Sequence, residues 1–322
     1  MDSTRFRALA DQFSQKHILV IGDLMLDSYM WGETNRISPE APVPVVSVKD
    51  VTHNPGGAAN VGWNIASLSA SVSMAGVIGK DSHGGQLLKI MSDRGMNVEA
   101  VVEEANHHTI VKTRVIAQNQ QVVRTDFESL DEIPIESINT VQASLEKNIK
   151  NSDAIILADY NKGLLSEKMI ISILSLANEN NVPVYVDPKK DNFFAFKGVR
   201  LFKPNSVEFF QAMDSNDPEN ESKTLREKLN ADYILVTLGA EGMLLTTEDT
   251  SIKIPTKARA VHDVSGAGDT VIATFALAEL AGATPEEAAT LANLAAGRVC
   301  EEVGVVPINL DFLTEILNHH HS

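Results

Sequence analysis

An octapeptide near the carboxyl end, DVSGAGDT at residues 263–270, places small residues directly before an aspartate. Gly266, Ala267 and Gly268 would let the backbone approach a ligand closely, and the apolar run VIATFALAELAG that follows is typical of a buried helix. The first amides of such a helix have no backbone partners and lie at the positive end of its dipole, so they can hold an anion. Asp269, in the first helical turn, could then accept a proton from a hydroxyl that attacks a phosphate held there.

The octapeptide also permits a structural interpretation, because an acid after a glycine turn can simply cap a helix. It is not a P-loop, since the pattern GxxxxGK[ST] occurs nowhere in the chain. It is not a dinucleotide fingerprint either, since no third glycine follows in register. The first apolar strand leads into GDLMLD rather than GxGxxG, which counts against a dinucleotide-binding oxidoreductase.

A second glycine cluster, NPGGAANVGWNIASL, occupies residues 54–68. Gly56 and Gly57 offer a surface without side chains, and Asn60 opens a helix beside them. A glycine turn capped by asparagine would look the same without a ligand. Two clusters with the same order of small residues, polar residue and helix favour a ligand-binding interpretation.

The composition excludes several classes of function. The chain has 322 residues with 27 basic and 43 acidic side chains, a net charge of -16 that argues against nucleic acid as a partner. Its one cysteine, Cys300, excludes a disulfide within the chain and is expected to be a buried apolar residue of a helix. The polar amino terminus is unlike a signal peptide, and no apolar run reaches the ~20 residues that span a bilayer. A cytoplasmic protein without a membrane partner is expected.

Short apolar strands alternate with helical patterns, which predicts an α/β fold with a mostly parallel sheet and helices on both faces. Segments near 43–48 and 109–126 alternate polar and apolar residues and do not fit this rhythm, so they predict a small separate sheet that acts as a lid. No linker or repeat divides the chain. We therefore expect one domain over 1–322, with lid segments at about 30–48 and 109–126. Helices are expected at 60–68, 136–149, 166–180, 267–282, 285–302 and 309–318.

The glycine clusters, with GGAAN, NIASLSASVSMAGVIGKDSHG and DVSGAGDT, resemble the two signature regions of the ribokinase-like (phosphofructokinase-B) carbohydrate kinases. Their order and spacing agree over nearly the whole chain. The resemblance implies a three-layer sandwich with a small β lid, and transfer of phosphate from ATP to a sugar. It implies that Asp269 is the base and that Gly266, Ala267 and Gly268 form the anion hole. It also implies a set of sugar-binding residues: Asp27, Gly56, Gly57 and Asn60.

In KPNSVE, Asn205 and Glu208 match the N-x-x-E motif of that family. Spaced three apart at a helix start, they share a face and could hold through water the Mg²⁺ that bridges the ATP phosphates. A solvated helix start would show the same residues. The resemblance and the neighbouring sequence add further candidates for ATP binding: Ser206, Val207, Thr237, Gly239, Gly242, Asn293 and Lys189. Asp263 resembles a ligand for a monovalent cation such as K⁺ in some members, although a turn aspartate explains it equally well.

A closer similarity lies in GDLMLDSYMWGETNRISPEAPVPVV, RVIAQNQQVVRTDFE, LADYNKG and VDPKKDNF. These segments are similar to the bacterial heptose 7-phosphate kinases of lipopolysaccharide core synthesis. The similarity implies phosphorylation of D-glycero-β-D-manno-heptose 7-phosphate by ATP at the anomeric hydroxyl. Many of these kinases are fused to a C-terminal nucleotidyltransferase. The sequence ends where the kinase would end, so no nucleotidyltransferase domain is expected. The chain could be a kinase that stands alone or one that has been excised from a longer protein.

A phosphorylated sugar requires cations near its phosphate, although the whole chain is acidic. Candidates are Arg36, Lys112, Arg114, Arg124 and Lys162, with Asn119 and Gln120 as neutral donors. Any one of them could be a solvent-facing charge, but their grouping in the lid segments favours a ligand site. Exposed edges of a lid commonly pair between subunits, so a homodimer through the lid is expected.

Two alternative functions remain open at this stage. A kinase for another sugar or sugar phosphate, such as fructose 6-phosphate or a nucleoside, would carry the same motifs. A non-catalytic sensor of sugar or nucleotide could use the same fold. A sensor should have lost the base or the metal motif, whereas Asp269, Asn205 and Glu208 are all present.

Overall fold

The computed structural model describes residues 1–118, 120–128, 132–213, 217–256 and 263–319. Within these residues the helices are α1 (Ser3–Phe13), α2 (Ala58–Ser67), α3 (Ser82–Asp93), α4 (Ile135–Lys150), α5 (Glu167–Glu179), α6 (Ser206–Met213), α7 (Pro218–Leu229), α8 (Ala267–Leu280), α9 (Pro285–Val299) and α10 (Leu310–His319). The strands are β1 (His17–Gly22), β2 (Leu24–Ile37), β3 (Pro44–Gly57), β4 (Ser71–Gly79), β5 (Asn97–Glu104), β6 (Ile110–Ala117), β7 (Gln120–Phe127), β8 (Ala154–Ala158), β9 (Val184–Asp187), β10 (Leu201–Phe202), β11 (Tyr233–Thr237), β12 (Met243–Thr246) and β13 (Ser251–Ile254).

The larger sheet has the strand order β13-β12-β11-β10-β9-β8-β1-β4-β5. Its strands pair in parallel from β5 across to β11. At the other end of the sheet, β12 pairs antiparallel with both β11 and β13. Central strands such as β1, with the sequence HILVIG, are almost entirely buried, as expected when helices cover both faces of a parallel sheet. The predicted α/β class with a mostly parallel sheet is confirmed.

Two hydrophobic cores lie on opposite faces of this sheet. Along β1, Ile18 and Val20 enter one core while Leu19 and Ile21 enter the other, because successive side chains of a strand point to opposite faces. Helices α2, α8 and α9 contribute to the first core, and α4 and α5 to the second. Most of α8 is buried, which explains why its sequence is apolar around the whole helix. The layers are helix, sheet and helix, as predicted.

The lid is a second sheet with the strand order β3-β2-β6-β7. Strands β2 and β6 pair in parallel, and the other two pairs are antiparallel. The predicted lid started near residue 30, but the paired backbone begins earlier, with Leu24 opposite Gly57. The first six residues of β2 are buried, so the alternation that marks a half-exposed strand is missing there. Asp27 and Gly56 consequently lie within lid strands rather than in loops.

Several elements were not predicted, among them α1, α3, β5 and α7. Helix α7 is strongly polar and buries only Ser222, Leu225 and Leu229. Its start nevertheless carries two ordinary signals, the capping side chain of Asp217 and a proline in the first turn. In the described parts of the chain, no helix combines the length and the apolar character that crossing a bilayer requires.

Candidate active site

Four neighbouring parallel strands end in buried polar residues at one edge of the large sheet. Asp23 follows β1, Asp159 follows β8, Asp187 ends β9 and Lys203 follows β10. Asp187 and Lys203 form an ion pair of 3.1 Å between carboxylate oxygen and Nζ. Ligands of open α/β sheets bind at the carboxyl ends of the strands, so this edge is the expected place for a site.

The first turn of α8 faces this edge. A Cβ atom on Gly268 would lie 3.4 Å from the Nζ of Lys203. The Lys203 ammonium therefore lies close to the backbone of this turn. Gly266, the N-cap residue, has a φ of 79°, and a Cβ there would lie 2.7 Å from the side-chain nitrogen of Asn60. Both observations require glycine at position 266. No described side chain caps α8. The Ala267 amide donates to the Val264 carbonyl at 3.3 Å, so the amides of Gly266 and Gly268 are the better candidates for holding an anion.

Asp269 lies buried in this first turn and accepts two hydrogen bonds. The Tyr160 hydroxyl donates to Oδ1 at 2.5 Å, and the Asn60 amide donates to Oδ2 at 2.7 Å. Burial raises the pKa of Asp269 to about 6, the Asp187 carboxylate adds to the rise, and the two hydrogen bonds oppose it. A carboxylate has about four acceptor sites, so a substrate hydroxyl could still donate to it. The group can act as a base at neutral pH.

Tyr160 and Asn64 are site residues that the sequence interpretation did not single out. Tyr160 follows β8 in LADYNKG, and Asn64 lies one helical turn after Asn60 on α2. The available signals were a polar and aromatic run directly after a buried strand, and asparagines at helical spacing. Neither signal indicates by itself that the Tyr160 side chain reaches Asp269, or that Asn64 bonds Asn60.

The sugar side of the site is built around Asp27 of β2. Its Oδ1 accepts a hydrogen bond of 2.6 Å from Arg114 of β6, and both side chains are buried. Burial raises the pKa of Asp27, and the Arg114 guanidinium opposes that rise. A Cβ on Gly56 would lie 2.8 Å from the Asp27 carboxylate, so glycine allows this approach. Gly57 begins α2 with a φ of 56°, a conformation that favours glycine.

Three predicted phosphate-binding cations gather at one end of the lid, where they meet two carboxylates. Lys112 lies 3.4 Å from both Asp126 and Glu128, and Lys162 lies 2.6 Å from Glu128. Arg124 contacts Asp126 with two nitrogens at 2.9 and 3.1 Å. We name these five residues the lid ion cluster. The cluster adjoins Asp27, because Lys112 lies opposite Asp27 in the pairing of β2 with β6, and Arg124 lies opposite Arg114 in the pairing of β6 with β7.

Arg36 does not join this cluster. It lies on the same strand as Asp27 but nine residues further along, which corresponds to roughly 30 Å at the rise of an extended strand. Its side chain is exposed. The predicted contribution of Arg36 to the sugar site of its own chain is therefore not supported, because the long lid strand carries it away. Asn119 lies outside the described residues.

On the nucleotide side, Asn205 and Glu208 bond to each other across the start of α6. The Glu208 amide donates to the Asn205 side chain at 2.9 Å, and the Asn205 amide donates to the Glu208 carboxylate at 2.8 Å. This reciprocal arrangement is a capping box. Lys189 donates to the other oxygen of Glu208. Ser206 and Val207 form the first turn of α6, where Val207 is exposed.

The donor set of Asn205 and Glu208 fits a magnesium ion held through water. Both residues offer hard oxygen atoms, and each oxygen that accepts a backbone bond keeps a second acceptor site. The described residues contain no group of three or more His, Cys, Asp or Glu side chains placed to surround a metal. An ion here would therefore keep most of its water, as Mg²⁺ commonly does.

The loop after β11 lies next to the start of α6. Thr237 pairs with Asn205 in an isolated parallel bridge. Gly239 and Gly242 both have positive φ angles, 59° and 94°. A Cβ on Gly242 would lie 2.0 Å from the Ile254 carbonyl oxygen, whereas Gly239 faces open space. Gly242 is therefore needed for the fold, while Gly239 leaves room for a ligand.

Asn293 of α9 donates to the Pro255 carbonyl at 2.8 Å and so holds the chain just before residues 257–262, which lie outside the description. Asp263 accepts a hydrogen bond of 2.8 Å from the Ser265 amide. Asp263 thus makes the hydrogen bond expected of a turn aspartate. Its role as a ligand for K⁺ stays a prediction.

The sequence matches the pfkB family of carbohydrate kinases over residues 15–311, and the chain belongs to this family. Its members are phosphotransferases that act on a sugar hydroxyl, and they use ATP with a divalent metal. The bifunctional protein HldE of Sulfurimonas denitrificans is 41% identical over 303 residues, covering 92% of this chain and 63% of the relative. HldE of Aliarcobacter butzleri is 42% identical over 311 residues, covering 95% and 65%. The chain thus spans less than two thirds of the length of these relatives.

Solved structures show the same fold. Phosphofructokinase-2 from Escherichia coli, in complex with substrates and products, superimposes with a TM-score of 0.79 at 18% identity, over 95% of this chain and 100% of that one. Ribokinase from Arabidopsis thaliana, complexed with ribose and ATP, gives a TM-score of 0.71 at 20% identity, over 94% and 98%. The predicted ribokinase-like fold is therefore confirmed.

The raised pKa of Asp269 predicts a pH-dependent effect of Asp269→Asn on stability. The folded-state pKa of about 6 lies above the ordinary 3.8, so the folded state binds this proton more tightly than the unfolded state. Ionisation therefore destabilises the fold as pH rises from 4 to 6, and the penalty persists above 6. Relative to wild type, the variant should gain about 2 kcal/mol of unfolding free energy between pH 4 and pH 7. Denaturant unfolding at several pH values measures this.

Asp249→Asn, which neutralises an exposed carboxylate, is the matched control and should follow wild type at every pH. If the Asp269→Asn curve also runs parallel to wild type, the carboxyl of Asp269 has an ordinary pKa and the described environment of the base is wrong.

Proposed function

We propose that the chain transfers the γ-phosphoryl group of ATP to the anomeric hydroxyl of D-glycero-β-D-manno-heptose 7-phosphate. The product is the 1,7-bisphosphate, an intermediate on the way to ADP-heptose and the lipopolysaccharide core. The observation that carries the proposal is a buried base, Asp269, at an uncapped helix start, combined with a cluster of cations on the lid. The heptose assignment rests on the four sequence segments quoted above and on the HldE relatives.

The sugar is held between Asp27, the glycine pair 56–57 and Asn60. Asp27 accepts hydrogen bonds from sugar hydroxyls, and Arg114 keeps its carboxylate in place. The 7-phosphate binds the lysines and the arginine of the lid ion cluster, where it replaces part of their contacts with Asp126 and Glu128. Arginine and lysine side chains already gathered at one place lose less freedom when an anion binds them.

Asp269 takes the proton of the anomeric hydroxyl as that oxygen attacks the γ-phosphorus of ATP. The bond from this phosphorus to the β,γ-bridging oxygen breaks, and ADP leaves. The amides at the start of α8 and the Lys203 ammonium, which lies next to Gly268, would stabilise the charge that develops on the transferring group. ATP lies along the carboxyl edge of the sheet near Thr237, Gly239 and Asn293. A Mg²⁺ ion held through water by Asn205 and Glu208 would neutralise charge on the phosphates. Closure of the lid excludes water, which would otherwise accept the phosphoryl group.

The lid ion cluster and the buried carboxylate of Asp269 each speak against one alternative. A kinase for an unphosphorylated sugar or a nucleoside needs no such group of cations beside the sugar. A sensor without catalysis has no use for a buried carboxylate that is kept available as a base. Fructose 6-phosphate is the remaining alternative with a phosphate, and only substrate comparison separates it from the heptose.

Turnover tests the proposed reaction directly. With ATP and Mg²⁺, the wild-type chain should consume ATP on D-glycero-D-manno-heptose 7-phosphate at least about a hundredfold faster than on ribose, which has no phosphate for the lid ion cluster to bind. It should be faster by about the same factor than on fructose 6-phosphate, which has its phosphate on a shorter carbon chain. Asp269→Asn should lose about a thousandfold or more in kcat, because the general base is gone. Asp249→Asn should keep the wild-type rate.

Turnover on fructose 6-phosphate alone would keep the mechanism and discard the heptose. Binding of ATP without turnover on any sugar would favour the sensor.

We also propose that the chain forms a homodimer through its lid. Strands β3 and β7 are edge strands of the lid sheet, and every residue of β7 is exposed. Large apolar side chains lie exposed on these strands: Val48, Val51, Val122, Val123 and Phe127. Exposed edges with apolar side chains are surfaces that a second copy can cover.

Lysine substitutions on the lid test the dimer. Wild type should sediment as a dimer at micromolar concentration, and the double variant Val122→Lys, Val123→Lys should sediment as a monomer because it places charge in the proposed interface. A matched double variant, Ile135→Lys with Ile171→Lys, changes exposed apolar residues of α4 and α5 and should remain a dimer. A wild-type protein that sediments as a single monomer contradicts the proposal.

A further inference from the structure

Tyr160 lies beside Asp269 and contacts charged groups on two sides. Its hydroxyl donates to the Asp269 carboxylate at 2.5 Å. On its other side, the Lys189 ammonium lies 5.5 Å from the centre of its ring. Burial, followed by the charge of Asp269, raises the pKa of this phenol well above its ordinary value. The hydroxyl therefore keeps its proton at neutral pH and acts as a donor.

The loop that carries Tyr160 is fixed by a second buried carboxylate. Asp23 Oδ2 accepts hydrogen bonds from the Tyr160 amide at 2.9 Å and from the Lys162 amide at 3.1 Å. Between them, Asn161 has a φ of 54°, and its amide donates to Asp159 at 2.8 Å. Two carboxylates at the ends of β1 and β8 thus determine where the Tyr160 side chain begins.

The second donor to Asp269 is oriented by a chain of hydrogen bonds that starts at a backbone amide. The Ile308 amide donates to Asn64 Oδ1 at 3.0 Å, which identifies that atom as oxygen. Asn64 Nδ2 therefore points to Asn60, where it donates to the main-chain oxygen at 2.8 Å and lies 3.4 Å from Oδ1. Asn60 is left with its Nδ2 toward Asp269. Both oxygens of the base thus face fixed donors.

We propose that Tyr160 is a positioning residue, whose hydroxyl holds the side chain of Asp269 in one orientation and stabilises the ionised carboxylate that accepts the proton. The inference rests on the proposed role of Asp269 as the base. Tyr160 itself does not touch the reacting atoms. Its function is to keep the base ionised in a buried place down to a lower pH than burial alone would allow.

Charged groups face Asp269 from several elements. Asp187 of β9 raises its pKa, and Lys203 after β10 lowers it. Lys189, from the loop after β9, feels the charge of Asp269. None of these groups is altered by removing the Tyr160 hydroxyl, so the effect of that hydroxyl can be measured against a constant background.

Tyr160→Phe removes the hydroxyl and keeps the ring. The acid limb of the pH profile of kcat/KM should move up by about one to two pH units, because the ionised base has lost a hydrogen bond. At pH 6.5 the variant should be about tenfold or more slower than wild type, and above pH 9 the two rates should converge. In parallel, ¹³C NMR of labelled aspartate carboxyls, assigned with Asp269→Asn, should show the same upward shift of the Asp269 titration.

Tyr185→Phe is the matched control. Tyr185 is also buried and donates to a carboxylate, that of Glu279, which lies near the end of α8, ten residues after Asp269. Its loss should lower stability without moving the acid limb or the Asp269 titration. Should Tyr160→Phe fail to fold, 3-fluorotyrosine at position 160 replaces it. That residue is a stronger donor, so the Asp269 titration should move to lower pH.

A rate loss in Tyr160→Phe that is uniform at all pH values, with an unshifted Asp269 titration, overturns the inference. So does an unchanged profile. The NMR titration requires no turnover, so it tests the inference even if the wild-type chain phosphorylates no sugar, the outcome that overturns the proposed function instead.

Discussion

Ionising a carboxylic acid away from water is unfavourable, and the site depends on how the fold makes this possible for Asp269. In the proposed reaction, burial of this residue keeps water from competing for the phosphoryl group, and ionisation allows it to accept a proton. Two donors, Tyr160 and Asn60, meet its two oxygens, and the turn before it contains glycine where a Cβ would displace Asn60. Strands β1 and β8 are neighbours in the sheet, so Asp23 and Asp159, which follow them, can both hold the Tyr160 loop.

Charge in the rest of the site is arranged in local pairs within a chain that is acidic overall. Lys203 is paired with Asp187 beside the helix start, Arg114 with Asp27 on the lid, and the remaining lid cations with Asp126 and Glu128. Buried charges require such partners in the absence of a ligand. An incoming phosphate can exchange with the lid carboxylates at little loss, since they are partly exposed. A net charge of -16 is thus compatible with a binding site for a phosphorylated sugar.

The sequence predicted the sheet, its flanking helices and the helix start at Asp269, because apolar periodicity and glycine clusters are local signals. It did not predict that β2 and β3 continue to Leu24 and Gly57, since buried lid residues lose the alternation that marks a strand. The same extension explains why Arg36 lies far from Asp27. Tyr160 and Asn64 were missed for another reason: their importance lies in contacts with residues that are more than 100 and 200 positions away, respectively. Such contacts arise only from the packing of the whole chain.

The central claim is transfer of a phosphoryl group to the anomeric oxygen by a buried base. The most direct measurement is ³¹P NMR of the product formed from ATP and D-glycero-β-D-manno-heptose 7-phosphate. The account predicts a second phosphate ester whose phosphorus couples to the anomeric proton, formed together with ADP and retaining the β configuration. Release of inorganic phosphate without a new ester, or an ester at any other carbon, would contradict it.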